Sequence, residues 1–208
     1  MSTQAQRATL QRRPLVKQLL DGADDNLLVI AGLGSSNWDI TAAGDRPLNM
    51  PLWGSMGAPV GMGLGLAMAQ PTKRVLVITG DGDMLMSLGS LATVATQMPE
   101  NLAIVVLDNE KFGETGNQAT HTSPRNNGPT DSGAGTDLAM IARGCGIADA
   151  TTVREVGEVA EFVKDVRTKK GPVFRLVKVM VEKLEFVMPP QDGAHLKDRF
   201  RQALLGHP

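Results

Sequence analysis

An α/β fold, an open and mostly parallel sheet with helices on both faces, is predicted from three observations in the 208-residue sequence. Short runs dominated by Val, Ile and Leu recur at residues 27–31, 74–79, 102–108 and 173–181. Strands read this way when both faces of the pleat are covered, as in a parallel sheet. Helix-length segments separate the runs, which is the alternation of a doubly wound α/β domain. Glycine is bunched at residues 54–65, 80–89 and 113–135, between or just after apolar segments. Such bunching marks tight turns or backbone brought close to a ligand, with plain loop flexibility as the alternative for residues 128–135.

The elements follow in chain order. Leu10, Leu15, Leu19 and Leu20 space a helix over residues 9–20, although Pro14 threatens it. Residues 27–31 form a buried strand, and 33–53 read as irregular. Residues 58–69 (APVGMGLGLAMA) suit a buried helix that tolerates glycine for close packing. The strand at 74–79 (RVLVIT) runs straight into Gly80-Asp81-Gly82, and a Leu-, Met- and Ala-rich helix follows over 85–97. The strand at 102–108 ends at Asn109, and a polar loop occupies 110–135. A loop of about two dozen residues in a compact domain points to function or disorder, and ordering over a ligand or partner is expected. Asp137 is placed to cap a helix reaching Arg143, because its carboxylate can accept from free first-turn N–H groups. A further amphipathic helix is expected at 156–168, a strand at 173–181, and a short helix near 196–205. Residues 1–190 are read as one domain and 191–208 as a polar tail.

Composition removes several classes of function. The formal net charge is −1, and no stretch concentrates Lys and Arg, which argues against a nucleic-acid surface. The first 17 residues are polar and basic, without the apolar run of a secretory signal. No apolar window approaches the ~20 residues needed to cross a bilayer. Cys145 is the only cysteine, so this chain alone builds no intrachain disulfide, thiolate zinc site or iron–sulfur cluster. A cytoplasmic protein is expected.

The segment that carries chemistry is Gly80-Asp81-Gly82, then 26 residues, then Asn109 at the end of an apolar strand. Glycines on both sides of an acid let backbone N–H groups approach a phosphate, and the following helix N-terminus adds favourable potential for anions. Asp81 offers the hard carboxylate oxygen that Mg²⁺ prefers, and Asn109 a neutral amide oxygen. Both lie at carboxyl ends of parallel strands, where open α/β sheets bind ligands. A lone Gly-Asp-Gly also suits any tight turn; the distant Asn109 is what makes the pattern specific.

With that spacing the chain resembles the diphosphate-binding domain of the thiamine-diphosphate enzymes. The stretch from Leu107 to Gln118, of the form LDNxxxGxTGxQ, and GDGDMLMSLGSLATVA resemble the sulfopyruvate and phosphonopyruvate decarboxylase group, its β-type subunits in particular. The likeness spans residues 29–142. It implies thiamine diphosphate and Mg²⁺ as cofactors, with Asp81, Asn109 and the main-chain carbonyl of Lys111 on the metal. It also implies a cofactor contact surface of Gly54, Ser55, Met56, Gly80, Asp81, Gly82, Asp83, Asn109, Gly113, Glu114 and Thr115. Within it the Gly54 carbonyl would accept from the 4′-amino group, and Met56 would wedge beneath the cofactor. An ordinary core methionine is the alternative for Met56.

Two positions depart from the usual pattern. Asp83 stands where many relatives carry a small residue, a second negative charge near the diphosphate unless it turns away. Asp108 replaces a second Asn. Among other candidates, His121 would be the acid or base, against a solvated loop histidine. Arg125 could pair with an anionic head group. Ser35 and Ser36, in a GLGSS turn after a strand, look like a second phosphate turn.

In this enzyme class a glutamate from a pyrimidine-binding domain activates the cofactor, and none of the acidic residues here sits in such a context. The resemblance therefore implies a separate, α-type subunit supplying it, in an α2β2 or larger hetero-oligomer acting on a small anionic 2-oxoacid. An acetolactate-synthase-like carboligase is the alternative within the cofactor class. A non-catalytic nucleotide-binding module is the alternative outside it, weakened by the lack of a G-x-G-x-x-G after any strand.

Overall fold

A computed structural model describes residues 8–124 and 135–207. Six parallel strands form the central sheet: β1 (Leu27–Ala31), β2 (Asn49–Pro51), β3 (Arg74–Gly80), β4 (Leu102–Asp108), β7 (Asp149–Val153) and β8 (Val173–Lys178). Their spatial order is β2-β1-β3-β4-β8-β7. A separate two-stranded antiparallel ribbon, β5 (Lys111–Phe112) and β6 (Gln118–Ala119), follows β4.

Alternation along the strands divides the core in two, since successive side chains point to opposite faces. Val75, Val77, Leu102, Ile104 and Val106 face α3 (Pro59–Ala69), α5 (Leu88–Gln97), α6 (Leu138–Cys145) and α8 (Gly193–Leu205). Leu76, Ile78, Ala103, Val105 and Leu107 face α1 (Arg12–Leu20), α2 (Ser35–Ala42) and α7 (Val159–Thr168). All seven residues of β4 are buried. Both faces of the sheet are thus covered, as the uninterrupted apolar runs require.

Several expectations are met closely. Asp137 caps α6, its Oδ1 accepting from the Met140 N–H at 2.9 Å. Pro14 sits inside the first turn of α1, where a proline ring and its missing N–H are tolerated. Other stretches differ. Residues 33–53, read as irregular, contain α2 and β2. The helix expected over 85–97 begins earlier, as α4 (Asp81–Met86), and breaks at Ser87 before α5 resumes. β7 was not foreseen, because its DATTV sequence lies at the sheet edge and only Ala150 and Val153 are buried. β8 ends at Lys178, and Val179 extends the strand direction only as a bridge to Leu10.

The stretch after residue 190 returns to the same core. Asp192 caps α8 by accepting from the Ala194 and His195 N–H groups, and Leu196 and Phe200 are buried. Trp53 Nε1 donates to the Pro190 carbonyl at 3.0 Å, and Arg199 pairs with Asp45. Arg125 and part of the polar loop, 125–134, lie outside the described residues. Among the described residues, no helix is long and apolar enough to cross a membrane.

Candidate active site

The chain leaves β1 outward to β2 and then crosses to β3 on the other side, so the winding direction reverses between β1 and β3. Ligands of open α/β sheets bind at the carboxyl ends beside such a reversal. Gly80 of β3 pairs in register with Leu107 of β4. The next residues, Asp81 and Asp108, therefore leave neighbouring strands at the same level, with Asn109 one residue further.

Asp81 is 2% exposed. Its Oδ2 accepts from the hydroxyls of Thr120 at 2.5 Å and Thr122 at 3.1 Å. Thr122 also donates to Asp108 Oδ1 at 2.7 Å and lies 2.9 Å from the Thr120 hydroxyl. Each hydroxyl has one proton, so these two side chains cannot satisfy all four contacts at once. Burial, with the Asp108 carboxylate beside it, raises the Asp81 carboxyl to about 6, against the opposing pull of the two threonines. Lys178, at the end of β8, donates to Asp108 Oδ2 and to Glu110 Oε1, each at 2.7 Å. Burial disfavours the Lys178 charge, but Asp108 and Glu110 outweigh it and hold its pKa above the ordinary lysine value. Negative charge still exceeds positive in this cluster.

Asn109 Oδ1 accepts from the Lys111 N–H at 3.0 Å, a local turn that fixes the side chain and leaves a carbonyl oxygen's second lone pair for another partner. Glu110 takes a left-handed φ of 61° to make the corner. Backbone bonds of the ribbon use the carbonyls of Glu110 and Phe112, on either side of the Lys111 carbonyl. Around Gly80 there is open space where a side chain would begin. At Gly82 there is none: a Cβ would stand 2.5 Å from the Phe112 ring and 3.6 Å from the Met56 methyl. Gly82 is thus required by packing as well as by any phosphate.

Asp83, the second acid, has both carboxylate oxygens occupied by protein donors. Its Oδ1 accepts from the Gly57 N–H and its Oδ2 from the Thr79 hydroxyl at 2.5 Å. Burial raises its pKa against both hydrogen bonds. Gly54 and Ser55 are exposed, and Met56 is half-buried toward Gly82. Gly113, Glu114 and Thr115 form an exposed 3-10 turn, with the Glu114 carboxylate lying against Gly34. Ser35 and Ser36 open α2, and Ser36 is buried. His121 is exposed, while its neighbours Thr120 and Thr122 point inward. The structure thus gathers Met56, Gly82, Asp81, Asp83 and Asn109, and leaves His121 on the outside of the loop.

Thr120, Thr122 and Lys178 were missed in the sequence. A signal existed for the threonines: in an extended segment, residues two apart share a face, and Thr-His-Thr puts both hydroxyls together. Lys178 was also visible as a charge ending an otherwise largely apolar strand. Among the described residues, no three His, Cys, Asp or Glu side chains are arranged to hold a metal. A donor set of one carboxylate, one amide and one backbone carbonyl fits an Mg²⁺ that takes its remaining ligands from phosphate and water.

Comparison with known proteins gives a consistent picture. Residues 34–177 match the model of the thiamine pyrophosphate enzyme C-terminal TPP binding domain. The chain is 37% identical over 157 residues to the sulfopyruvate decarboxylase subunit beta of Methanocaldococcus jannaschii, covering 76% of each chain. It is 31% identical to the Methanothermobacter thermautotrophicus subunit beta, covering 95% of this chain and 97% of that one. Phosphonopyruvate decarboxylase of Streptomyces viridochromogenes is 29% identical, and there the match spans 89% of this chain but only 44% of the relative. A solved chain from Mycobacterium smegmatis, described as a thiamin diphosphate-dependent enzyme, shares the fold with a TM-score of 0.66 at 20% identity. That alignment covers 83% of this chain and 32% of the solved one.

Proposed function

The chain belongs to the thiamine pyrophosphate enzymes through their C-terminal TPP binding domain, and from that premise we propose that it is the cofactor-holding subunit of a heteromeric 2-oxoacid decarboxylase. Its substrate would be a small anionic 2-oxoacid of the sulfopyruvate or phosphonopyruvate kind, in keeping with the names of the relatives. One observation carries the reading. A buried, charge-crowded carboxylate, Asp81, stands level with Asp108-Asn109 at the ends of adjacent strands, on the side of the sheet where a cation and two phosphoryl groups would sit.

Mg²⁺ would be held by Asp81, the Asn109 amide oxygen and the Lys111 carbonyl. A divalent charge there would offset the burial and the Asp108 repulsion that together raise the Asp81 pKa. Thiamine diphosphate, when bound, supplies the electron sink for loss of the carboxylate as carbon dioxide. The chain's own residues bind and orient. Thr120 and Thr122 hold Asp81 by Oδ2, Lys178 ties Asp108 to Glu110, and Met56 with Phe112 covers the turn at Gly82. Gly54 and Ser55, exposed beside Met56, are the side on which the aminopyrimidine ring would rest. Gly113, Glu114 and Thr115 would border the same opening, and His121 would be the acid or base only if its loop turned over.

The activating glutamate would come from a separate pyrimidine-domain subunit, in an α2β2 or larger cytoplasmic assembly. The near-complete mutual coverage with a subunit named beta supports this division. The lone Cys145 suits a reducing compartment.

The test is reconstitution with the partner subunit, followed by assay of carbon dioxide release from sulfopyruvate and phosphonopyruvate. Asp81→Ala and Asn109→Ala should each lower thiamine diphosphate affinity at least about a hundredfold, as expected for losing a metal ligand. Full activity of the purified single chain, or unchanged cofactor affinity in both variants, would overturn the reading.

A further inference from the structure

Asp83 touches three separate stretches of chain at once. It lies in the first turn of α4, directly after the Gly80-Asp81-Gly82 turn, and is 5% exposed. Oδ2 takes the Thr79 hydroxyl at the end of β3. Oδ1 takes the N–H of Gly57, 26 positions back in the chain, at the close of the 54–57 loop. The same carboxylate fills the space beside the end of β1: a Cβ on Gly32 would stand 2.1 Å from Oδ2. Gly57 holds a left-handed φ of 87°, so its N–H is delivered by a backbone shape that few other residues would keep. Met56, the preceding residue, then lies with its methyl against Gly82.

A simple loop anchor does not need a buried carboxylate. One hydroxyl or amide would satisfy a single N–H at lower desolvation cost. A carboxylate has two oxygens on one rigid plane, so it can fix the separation between two donors from different segments. Here those donors belong to the metal-side turn and to the ring-side loop.

We propose that Asp83 is a positioning residue that sets the distance between the metal–diphosphate grip at Asp81 and the 54–57 loop, and so gauges the length of the bound cofactor. This rests on the cofactor reading above. Asp83 touches no phosphate; it acts through Gly57 and Thr79. Its removal should hurt ligands that span both halves and spare those that reach only one.

The experiment uses the complex reconstituted with the partner subunit and two probes, each with Mn²⁺: thiamine diphosphate and methylenediphosphonate. Both are measured by calorimetry. Asp83→Ala and Asp83→Glu should weaken thiamine diphosphate by about tenfold to a hundredfold, the scale of a lost hydrogen bond to a charged group. Methylenediphosphonate affinity should stay within about twofold of wild type, since the same arithmetic assigns it no lost contact. Asp83→Asn should restore most of the thiamine diphosphate affinity, because its amide can accept from Gly57 and donate to Thr79.

Equal losses for both probes in Asp83→Glu, or no loss for either, would overturn the proposal. If Asp83→Ala loses both probes, Asp83→Glu and Asp83→Asn decide. Asp81→Ala, which should lose both probes, separates this proposal from the underlying reading: if it loses neither, the cofactor reading falls and takes the gauge with it.

Discussion

β8 carries two cations, the buried Arg175 and the half-buried Lys178, and the surroundings of the two are opposites. Arg175 donates to both oxygens of Asp149, at 2.8 and 3.2 Å, and to Asp165 at 2.6 Å, while Lys169 adds a second positive charge on Asp149. Burial opposes the Asp149 charge, but Arg175 and Lys169 outweigh it and its pKa is lowered. At the other end of the strand, Lys178 faces Asp108 and Glu110, and among the described residues no cation pairs with Asp81 beyond them. There the pKa is raised. Among the described residues, the first cluster balances its carboxylates with cations and the second has more carboxylates than cations. A shortage of this kind, at the carboxyl ends of strands, is what the proposed cation site would require.

The largest separation between them should come from removing each anchor. Arg175→Met leaves Asp149 and Asp165 with only the exposed Lys169 as partner and should cost about 3 kcal/mol of stability, read as a lower urea midpoint. Thiamine diphosphate affinity in the folded complex should not change. A parallel fall in affinity would show that the two clusters are coupled.

Next in size, Asp81→Asn should make the cofactor-free chain more stable at pH 7, by about 1–3 kcal/mol, while abolishing its stabilisation by cofactor. The sign follows from the raised pKa. The protonated Asp81 stabilises the fold below 3.8, its ordinary value, and that contribution is lost as pH rises to about 6. Urea unfolding of wild type at pH 4 and pH 7 should therefore show a decline that the variant lacks. A variant less stable than wild type at pH 7 would mean that Asp81 is not strained in the absence of a cation.

Smaller still, Thr122→Val removes the bridge between Asp81 and Asp108. Cation affinity should fall about tenfold, equivalent to ~1.4 kcal/mol. Titration with Mn²⁺ and methylenediphosphonate reads this directly, and an increase in affinity would show that Thr122 competes with the metal. Lys169→Ala should be the mildest change, within about 0.5 kcal/mol, because its side chain is 49% exposed and its pairs are screened. A larger effect would transfer credit for the balanced cluster from Arg175 to Lys169.

Legibility in the sequence tracked how local each feature is. β1, β3 and β4 stood out because each is an uninterrupted apolar run, and the Asp137 cap because its partner is three residues away. α2 was hidden: SSNWDITA lacks a clean apolar stripe, and it forms because Ile40 packs in the core and Asp39 pairs with Arg12 and Arg13 of α1. β2 is three residues long and exists only as an addition to β1. The departure at Asp83 was visible, but its orientation was not, since its two partners come from the preceding strand end and from a loop far back in the chain.

Sequence alone determined the parallel sheet, the metal-binding pair Asp81 and Asn109 as an expectation, and the family, because periodicity and spaced motifs are written along one dimension. Tertiary structure decided which side chains surround that pair. Thr120, Thr122 and Lys178 lie 39, 41 and 97 positions beyond Asp81 in the chain and reach its neighbourhood only when β4, the ribbon and β8 are in place. Charge balance depends on distance through space, and no spacing along the chain encodes it.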